Sequence, residues 1–325
     1  MRLDRRLDRR SGKGLNARAP RPKLWITGIS GFLGWHLAQV AQPRWQVYGT
    51  YHQHPIQVPG AVTAPLDLRD AEAIAATLAA QQPTAVIHTA AISKPNVCQQ
   101  HPEVSRAVNV TATEHLARSC AAAQVPLVFT SSNLVFDGQC PPYCETAPPH
   151  PVNLYGEQKA DAEQRLQAVH PQAVICRLPL MFGPATPTAT SFLQDFLGKL
   201  RSGQPLTLFT DEYRMPADAR AIAAGLLLAV QHPGLGILHL AGADRLSRYD
   251  MGQLLVQIWD ITSANLHPCR QVDVPMPAPR PPDLSMDTTK AQQLGYRPMA
   301  MDRALEAIRR EEIRQREVAN AHLTP

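Results

Sequence analysis

The run Lys23–Gly34, reading KLWITGISGFLG, constrains this chain more than any other stretch. Leu24, Trp25 and Ile26 form a short apolar run with the character of a buried strand. Thr27 and Gly28 interrupt it, and Gly31 and Gly34 follow at intervals of three. From Phe32 the apolar residues take helical spacing through Leu33, Trp35, Leu37, Ala38 and Val40. A strand, a glycine turn and a helix N-terminus in succession form a site for the pyrophosphate of a dinucleotide. Free backbone N–H groups and the positive end of the helix dipole point at the phosphates. Glycine lets the backbone approach closely and packs helix on strand.

The pattern after this motif repeats the alternation. Strands are expected at Trp45–Tyr51, Ala61–Pro65, Thr84–His88, Leu127–Thr130 and Ala173–Leu178. Helices are expected at Ala71–Gln81, Glu103–Gln124 and Tyr155–Val169. This order predicts an α/β, Rossmann-type, doubly wound parallel sheet. Beyond Gly183 the pattern loosens, with helices at Phe192–Leu200, Asp218–Gln231, Tyr249–Trp259, Asp287–Leu294 and Met301–Val318. A strand at Gly236–Leu240 and a proline-rich loop at Val272–Asp283 lie among them. The expected organisation is a nucleotide-binding domain over 23–180 and a smaller C-terminal substrate-binding lobe over 181–325. Residues 218–240 return to the main sheet.

The net charge of +5 comes from the first 23 residues, where nine Lys or Arg face Asp4 and Asp8. The rest of the chain is close to neutral, which argues against nucleic-acid binding by the fold. Residues 1–22 lack an apolar segment and read as a disordered basic tail rather than a secretory signal. No apolar run reaches the roughly 20 residues of a membrane span. Six irregularly spaced cysteines with no CxxC pair point to a reducing, cytoplasmic setting. The histidines form no HxxxH or HExxH array, and no metal site is expected.

Tyr155 and Lys159 stand at i and i+4, on one face of a helix. A nearby ammonium favours a phenolate and so brings tyrosine toward use as an acid or base. A strand ending in Ser131-Ser132 lies before them, and a hydroxyl at a strand's C-terminal edge can donate to a substrate carbonyl.

The motifs TGxxGxxG (Thr27–Gly34), Ser132 and YxxxK resemble the extended short-chain dehydrogenase/reductase superfamily. VFTSSNLVFDG (Val128–Gly138), NLYGEQK (Asn153–Lys159), GILHLAG (Gly236–Gly242) and RPPDLSMDTTKAQQLGY (Arg280–Tyr296) resemble its dTDP-4-dehydrorhamnose reductase-like branch. The resemblance implies an NAD(P)H-dependent reductase of a 4-keto nucleotide sugar. It further implies that Gly28, Ser30, Gly31, Phe32 and Leu33 wrap the pyrophosphate. Asp67 and Leu68 would contact adenine, and Ala90 and Ala91 would line the cofactor path. Tyr155 would protonate the keto oxygen, Lys159 would bind the nicotinamide ribose and tune Tyr155, and Ser132 would hold that oxygen. Lys94 and Arg214 fall where substrate-side loops lie. Asn133 and Leu134 stand where the family has Asp-Tyr, and Ala221 where it often has Asp.

The alternatives are an NAD-dependent epimerase or dehydratase, and a nucleotide-binding regulatory subunit without turnover. Ser132-Asn133-Leu134 lacks the acid pair of a 4,6-dehydratase. No carboxylate follows strand two before Asp67, so the element that repels a 2′-phosphate is missing. Thr50 and Tyr51 can donate to phosphate, whereas no Lys or Arg lies between Thr50 and Leu68. NADP(H) is therefore favoured modestly, with NAD(H) possible, and a homodimer is compatible with the pattern. Asp161 and Glu163 read as solvated helix residues, Arg177 as half of an ion pair, and Cys140 and Cys144 as loop thiols.

Overall fold

The computed structural model describes residues 21–321. The basic tail expected over residues 1–22 lies almost wholly outside them. Seven strands form one parallel sheet: β1 (Lys23–Thr27), β2 (Gln46–Tyr51), β3 (Ala61–Pro65), β4 (Ala85–His88), β5 (Leu127–Ser132), β6 (Val174–Leu178) and the later Ile237–His239. Their spatial order is Ile237–His239, β6, β5, β4, β1, β2, β3. Strand order reverses between β1 and β4, and the carboxyl ends on either side of such a point open a crevice for a ligand.

The sheet is buried on both faces. Leu24 and Ile26 point into one core, with Leu33, Leu37 and Ala38 of α1 (Phe32–Ala41) and Ile222 and Leu226 of the helix Ala219–Val230. Trp25 points the other way, against Ile74 of α2 (Ala71–Gln81), Leu116 of a helix at Ala112–Ala122, and Ala162 and Leu166 of the helix Leu154–Val169. Covering on both sides is why β1, β5 and β6 read as unbroken apolar runs instead of alternating ones.

The long helix expected over Glu103–Gln124 is present and runs without a gap through α4 (Pro102–Arg106), a π-turn at Ala107–Thr111 and α5 (Ala112–Ala122), preceded by the short α3 (Pro95–Gln100). Pro102 opens α4 at its first turn, where its missing N–H costs nothing. A π-turn adds one residue to the helical ring and is frequent at functional sites.

Asn153 caps α6 (Leu154–Val169) by accepting from the Gly156 N–H at 3.0 Å. A Cβ at Gly156 would stand 2.1 Å from the Leu134 carbonyl, so the helix can seat against the strand-β5 exit only with glycine there. After β7 (Met181–Phe182), a second core gathers Leu193 and Leu197 of α7 (Phe192–Arg201), Leu208 of β8 (Leu206–Phe209) and Leu305 of the last helix, Met301–Ala321. Met251 and Leu255 of the helix Arg248–Ile258 complete it. Short strands β9 (Tyr213–Arg214) and β10 (Ala217–Asp218) carry the chain back to α8 (Ala219–Val230) and β11 (Ile237–His239). β12 (Leu246–Ser247) pairs antiparallel with β9 and leads into α9 (Arg248–Ile258). Two-residue strands carry no periodic signal, so none of β7, β9, β10 or β12 was legible in sequence.

Candidate active site

Two clefts meet at the glycine loop. The first, about 440 Å³, runs along the ends of β1, β2 and β3 and is lined by Gly28, Ser30, Gly31, Thr50, Tyr51, Asp67, Leu68, Ala90 and Ala91. The second, about 340 Å³, is lined by Gly31, Phe32, Leu33, Ala91, Ser132, Tyr155, Lys159 and Arg214. Gly31, Thr89 and Ala91 belong to both, so the two form one continuous trough across the switch point. Every residue expected at the site lines it except Lys94, which is exposed at the N-cap of α3.

The three glycines do different work. Gly28 has φ +71, and a Cβ there would lie 2.7 Å from the Ala90 backbone. Gly34 presses on the Gly28 carbonyl, where a Cβ would come within 2.2 Å. Gly31, the N-cap of α1, has extended backbone and would bring a Cβ only to 3.2 Å of the Gly28 oxygen. Its open side faces the trough. No side chain caps α1 and its first turn holds no acid, so its leading N–H groups are free for an anion. These features fit a dinucleotide pyrophosphate.

At the adenosine end the Thr50 hydroxyl is buried and accepts the Trp25 indole N–H at 3.1 Å, a bond that leaves its own proton to donate. Arg69, one residue past the stretch searched for a basic group, lines the cleft and grips Asp67 at 2.6–3.0 Å. That grip holds the Asp67 carboxyl at about 2. His52 lies 3.6 Å from the same carboxylate.

At the other end Tyr155 and Lys159 are buried on α6. Ser132 closes β5, accepts from the Leu134 N–H at 3.1 Å and lines the same cleft as Tyr155. Lys159 donates to the Thr130 carbonyl at 2.8 Å, and its ammonium lies 4.4 Å from the centre of the Phe129 ring. Burial drives both groups toward neutrality. It pushes the Tyr155 hydroxyl well above its ordinary value and the Lys159 ammonium down to about 7. The expected lowering of Tyr155 by Lys159 is thus not what this site shows: desolvation by burial sets the direction.

Glu163, expected to be solvated, is instead buried, accepts from Ser131 at 2.5 Å and pairs with Arg177 at 2.7 Å. It lies one turn beyond Lys159 on the same inward face of α6, a position helical periodicity alone could have flagged. Asp161 does face outward, paired with Arg106 and Arg165.

Opposite Tyr155 the trough holds a cationic group that sequence reasoning found only in part. Arg214 is buried and bonds Glu212 at 3.4 Å, and Arg248 bonds the same carboxylate at 3.2 Å. Arg280 joins them in the lining. Burial pushes Arg214 down to about 10, which leaves it charged at neutral pH. Nη1 of Arg248 and Nε of Arg280 are buried with no partner. Three guanidiniums against one carboxylate, with donors to spare, suit a polyanionic ligand.

Residues 22–312 match the family described as the RmlD substrate binding domain. The chain belongs to that family. It is 29% identical over 288 residues to methionine adenosyltransferase 2 subunit beta of Xenopus laevis, covering 85% of this chain and 83% of the relative. It is 27% identical to the Haloferax volcanii protein named probable low-salt glycan biosynthesis reductase Agl14, covering 87% and 96%. Among solved structures, a hypothetical dTDP-4-dehydrorhamnose reductase from Sulfolobus tokodaii superposes with a TM-score of 0.77 at 26% identity, covering 86% and 97%. The RmlD-like branch of the extended short-chain dehydrogenases, expected from the motifs, is therefore the chain's family, and the Rossmann-type sheet its fold.

Proposed function

We propose that this protein is a nicotinamide-dependent reductase that converts a keto group on a nucleotide sugar to a hydroxyl. The observation that carries it is the single trough joining an uncapped helix N-terminus, the Ser132–Tyr155–Lys159 group and the arginine cluster. The cofactor, when bound, supplies the hydride to the carbonyl carbon. Ser132 holds the carbonyl oxygen. Tyr155, neutral because it is buried, gives its phenolic proton to that oxygen as negative charge develops there. Lys159, near its midpoint at neutral pH, steadies the tyrosinate and passes a proton back. Arg214, Arg248 and Arg280 hold the diphosphate of the substrate. NADP(H) is favoured over NAD(H) because strand two ends without a carboxylate and Asp67, the nearest acid, is neutralised by Arg69.

The test is purification, identification of the bound or preferred cofactor, and NAD(P)H oxidation with dTDP- and UDP-4-keto sugars. Cofactor-dependent turnover of one such sugar is the expected result, and no turnover on any of them refutes the reading. A second reading, a nucleotide-binding subunit without turnover, is favoured by the named role of the 29%-identical relative. It predicts cofactor binding with no oxidation on any sugar.

A further inference from the structure

Between Tyr155 and Lys159 on α6 lies Gln158, buried and outside the trough. Its Oε1 accepts from Nδ2 of Asn109 at 2.8 Å, and its Nε2 donates to the Ser105 hydroxyl at 2.8 Å. Asn109 stands in the π-turn, where the extra residue of the helical ring turns its amide inward. There it makes two bonds to the main chain of Ile92. The Ile92 N–H donates to Asn109 Oδ1 at 2.9 Å, and Asn109 Nδ2 donates to the Ile92 carbonyl at 3.1 Å. The Cys98 thiol adds a third tie, donating to the same carbonyl at 3.2 Å.

These contacts leave no freedom in the amide orientations. The Ile92 N–H needs an acceptor, so Asn109 must present oxygen there and nitrogen to its other partners. Gln158 must then offer oxygen to Asn109, and its nitrogen falls to Ser105, whose own hydroxyl donates to the Pro102 carbonyl at 3.1 Å. Ile92 belongs to the stretch from Ala90 to Ser93, which lines both clefts.

We propose that Gln158 is a positioning residue that, through Asn109, locks the helix bearing Tyr155 and Lys159 to the cofactor-side loop Ala90–Ser93. The role rests on the reading of the trough as a nicotinamide site. In that setting the clasp fixes the distance between the phenol and the place where the cofactor ring lies. Loop order and helix position are then coupled, so that a bound cofactor steadies the acid and the seated helix steadies the cofactor.

Gln158→Met in the full chain keeps the volume and removes its three hydrogen bonds, to Asn109, to Ser105 and the longer one at 3.4 Å to the Pro102 carbonyl. Three measurements follow: amide hydrogen exchange over residues 90–93 and 154–160, calorimetric affinity for NADPH and NADH, and kcat and KM on a nucleotide sugar. The expected result is faster exchange at Ile92 as well as at the start of α6. Cofactor affinity falls ~5–10-fold, the equivalent of about one buried hydrogen bond. kcat falls while KM for the sugar holds. Asn109→Ala gives the larger loss, and adding Gln158→Met to it changes nothing further, because Gln158 acts through Asn109. Unchanged exchange at Ile92 with cofactor affinity within about twofold of the parent overturns the proposal, since one lost hydrogen bond is worth more than that. So do strictly additive losses in the double variant. The exchange and affinity arms decide the matter even if no sugar is turned over, so failure of the reductase reading is seen separately.

Discussion

Replacing Gly31 and Gly34 in turn separates cofactor binding from folding. At Gly31 the backbone is extended, which valine adopts freely, and the only atom near a new Cβ is the Gly28 oxygen at 3.2 Å. That carbonyl needs to yield a few tenths of an ångström, at a cost of about 1 kcal/mol. The rest of the valine side chain projects into the trough, over the free N–H groups that begin α1. Blocking two charge-assisted bonds to phosphate costs roughly 1.5–3 kcal/mol each, which weakens binding ~10²–10⁴-fold. Gly34→Ala differs because its Cβ would meet the Gly28 oxygen at 2.2 Å and the Ile29 Cα at 2.8 Å, both backbone. The glycine loop and helix must then move apart, at roughly 3 kcal/mol, or a fall in Tm of about 6–12 °C. Calorimetry with NADPH and NADH, beside thermal unfolding of each variant, reads both effects. Native affinity in Gly31→Val, or a native Tm in Gly34→Ala, would refute the division of labour.

Tyr155→Phe removes one hydroxyl from a buried site and is expected to lower kcat ~10²–10⁴-fold with cofactor affinity and Tm nearly kept; near-parental kcat on the true substrate counts against Tyr155 as the acid. Because burial lowers Lys159 to about 7, its ammonium is lost as pH rises through that value, and kcat/KM for the cofactor should fall above about pH 7. For stability the sign is opposite: the native state pays for a buried cation below that pH, and this cost is relieved between about 7 and the ordinary 10.5. A kcat/KM profile that stays flat to pH 9 contradicts the assignment. Arg248→Met deletes the guanidinium that lies 5.4 and 5.9 Å from the centres of the Phe192 and Phe196 rings, and should raise KM for the nucleotide sugar ~10–100-fold without moving cofactor Kd; an unchanged KM would place the diphosphate elsewhere.

The sequence by itself determined the sheet and its ligand edge. β1, β5 and β6 announce themselves because strands covered on both faces are continuous apolar runs, and the glycine spacing marks the turn between β1 and α1. Tyr155 and Lys159 were legible because four residues is one helical turn. What only tertiary structure decided lies where partners are distant in the chain. Glu163 became a buried acid because Arg177, on the next strand, and Ser131 reach it. Arg248 and Arg280 entered the site because β9, β12 and the loop before Asp283 converge on Glu212 and Arg214, through elements too short to show a period. Burial reversed the expected direction at Tyr155, since desolvation depends on everything packed around a hydroxyl and not on the lysine one turn away. The π-turn at Ala107–Thr111 is of the same kind: it is held by the Ile92 and Gln158 bonds of Asn109, and no local pattern encodes them.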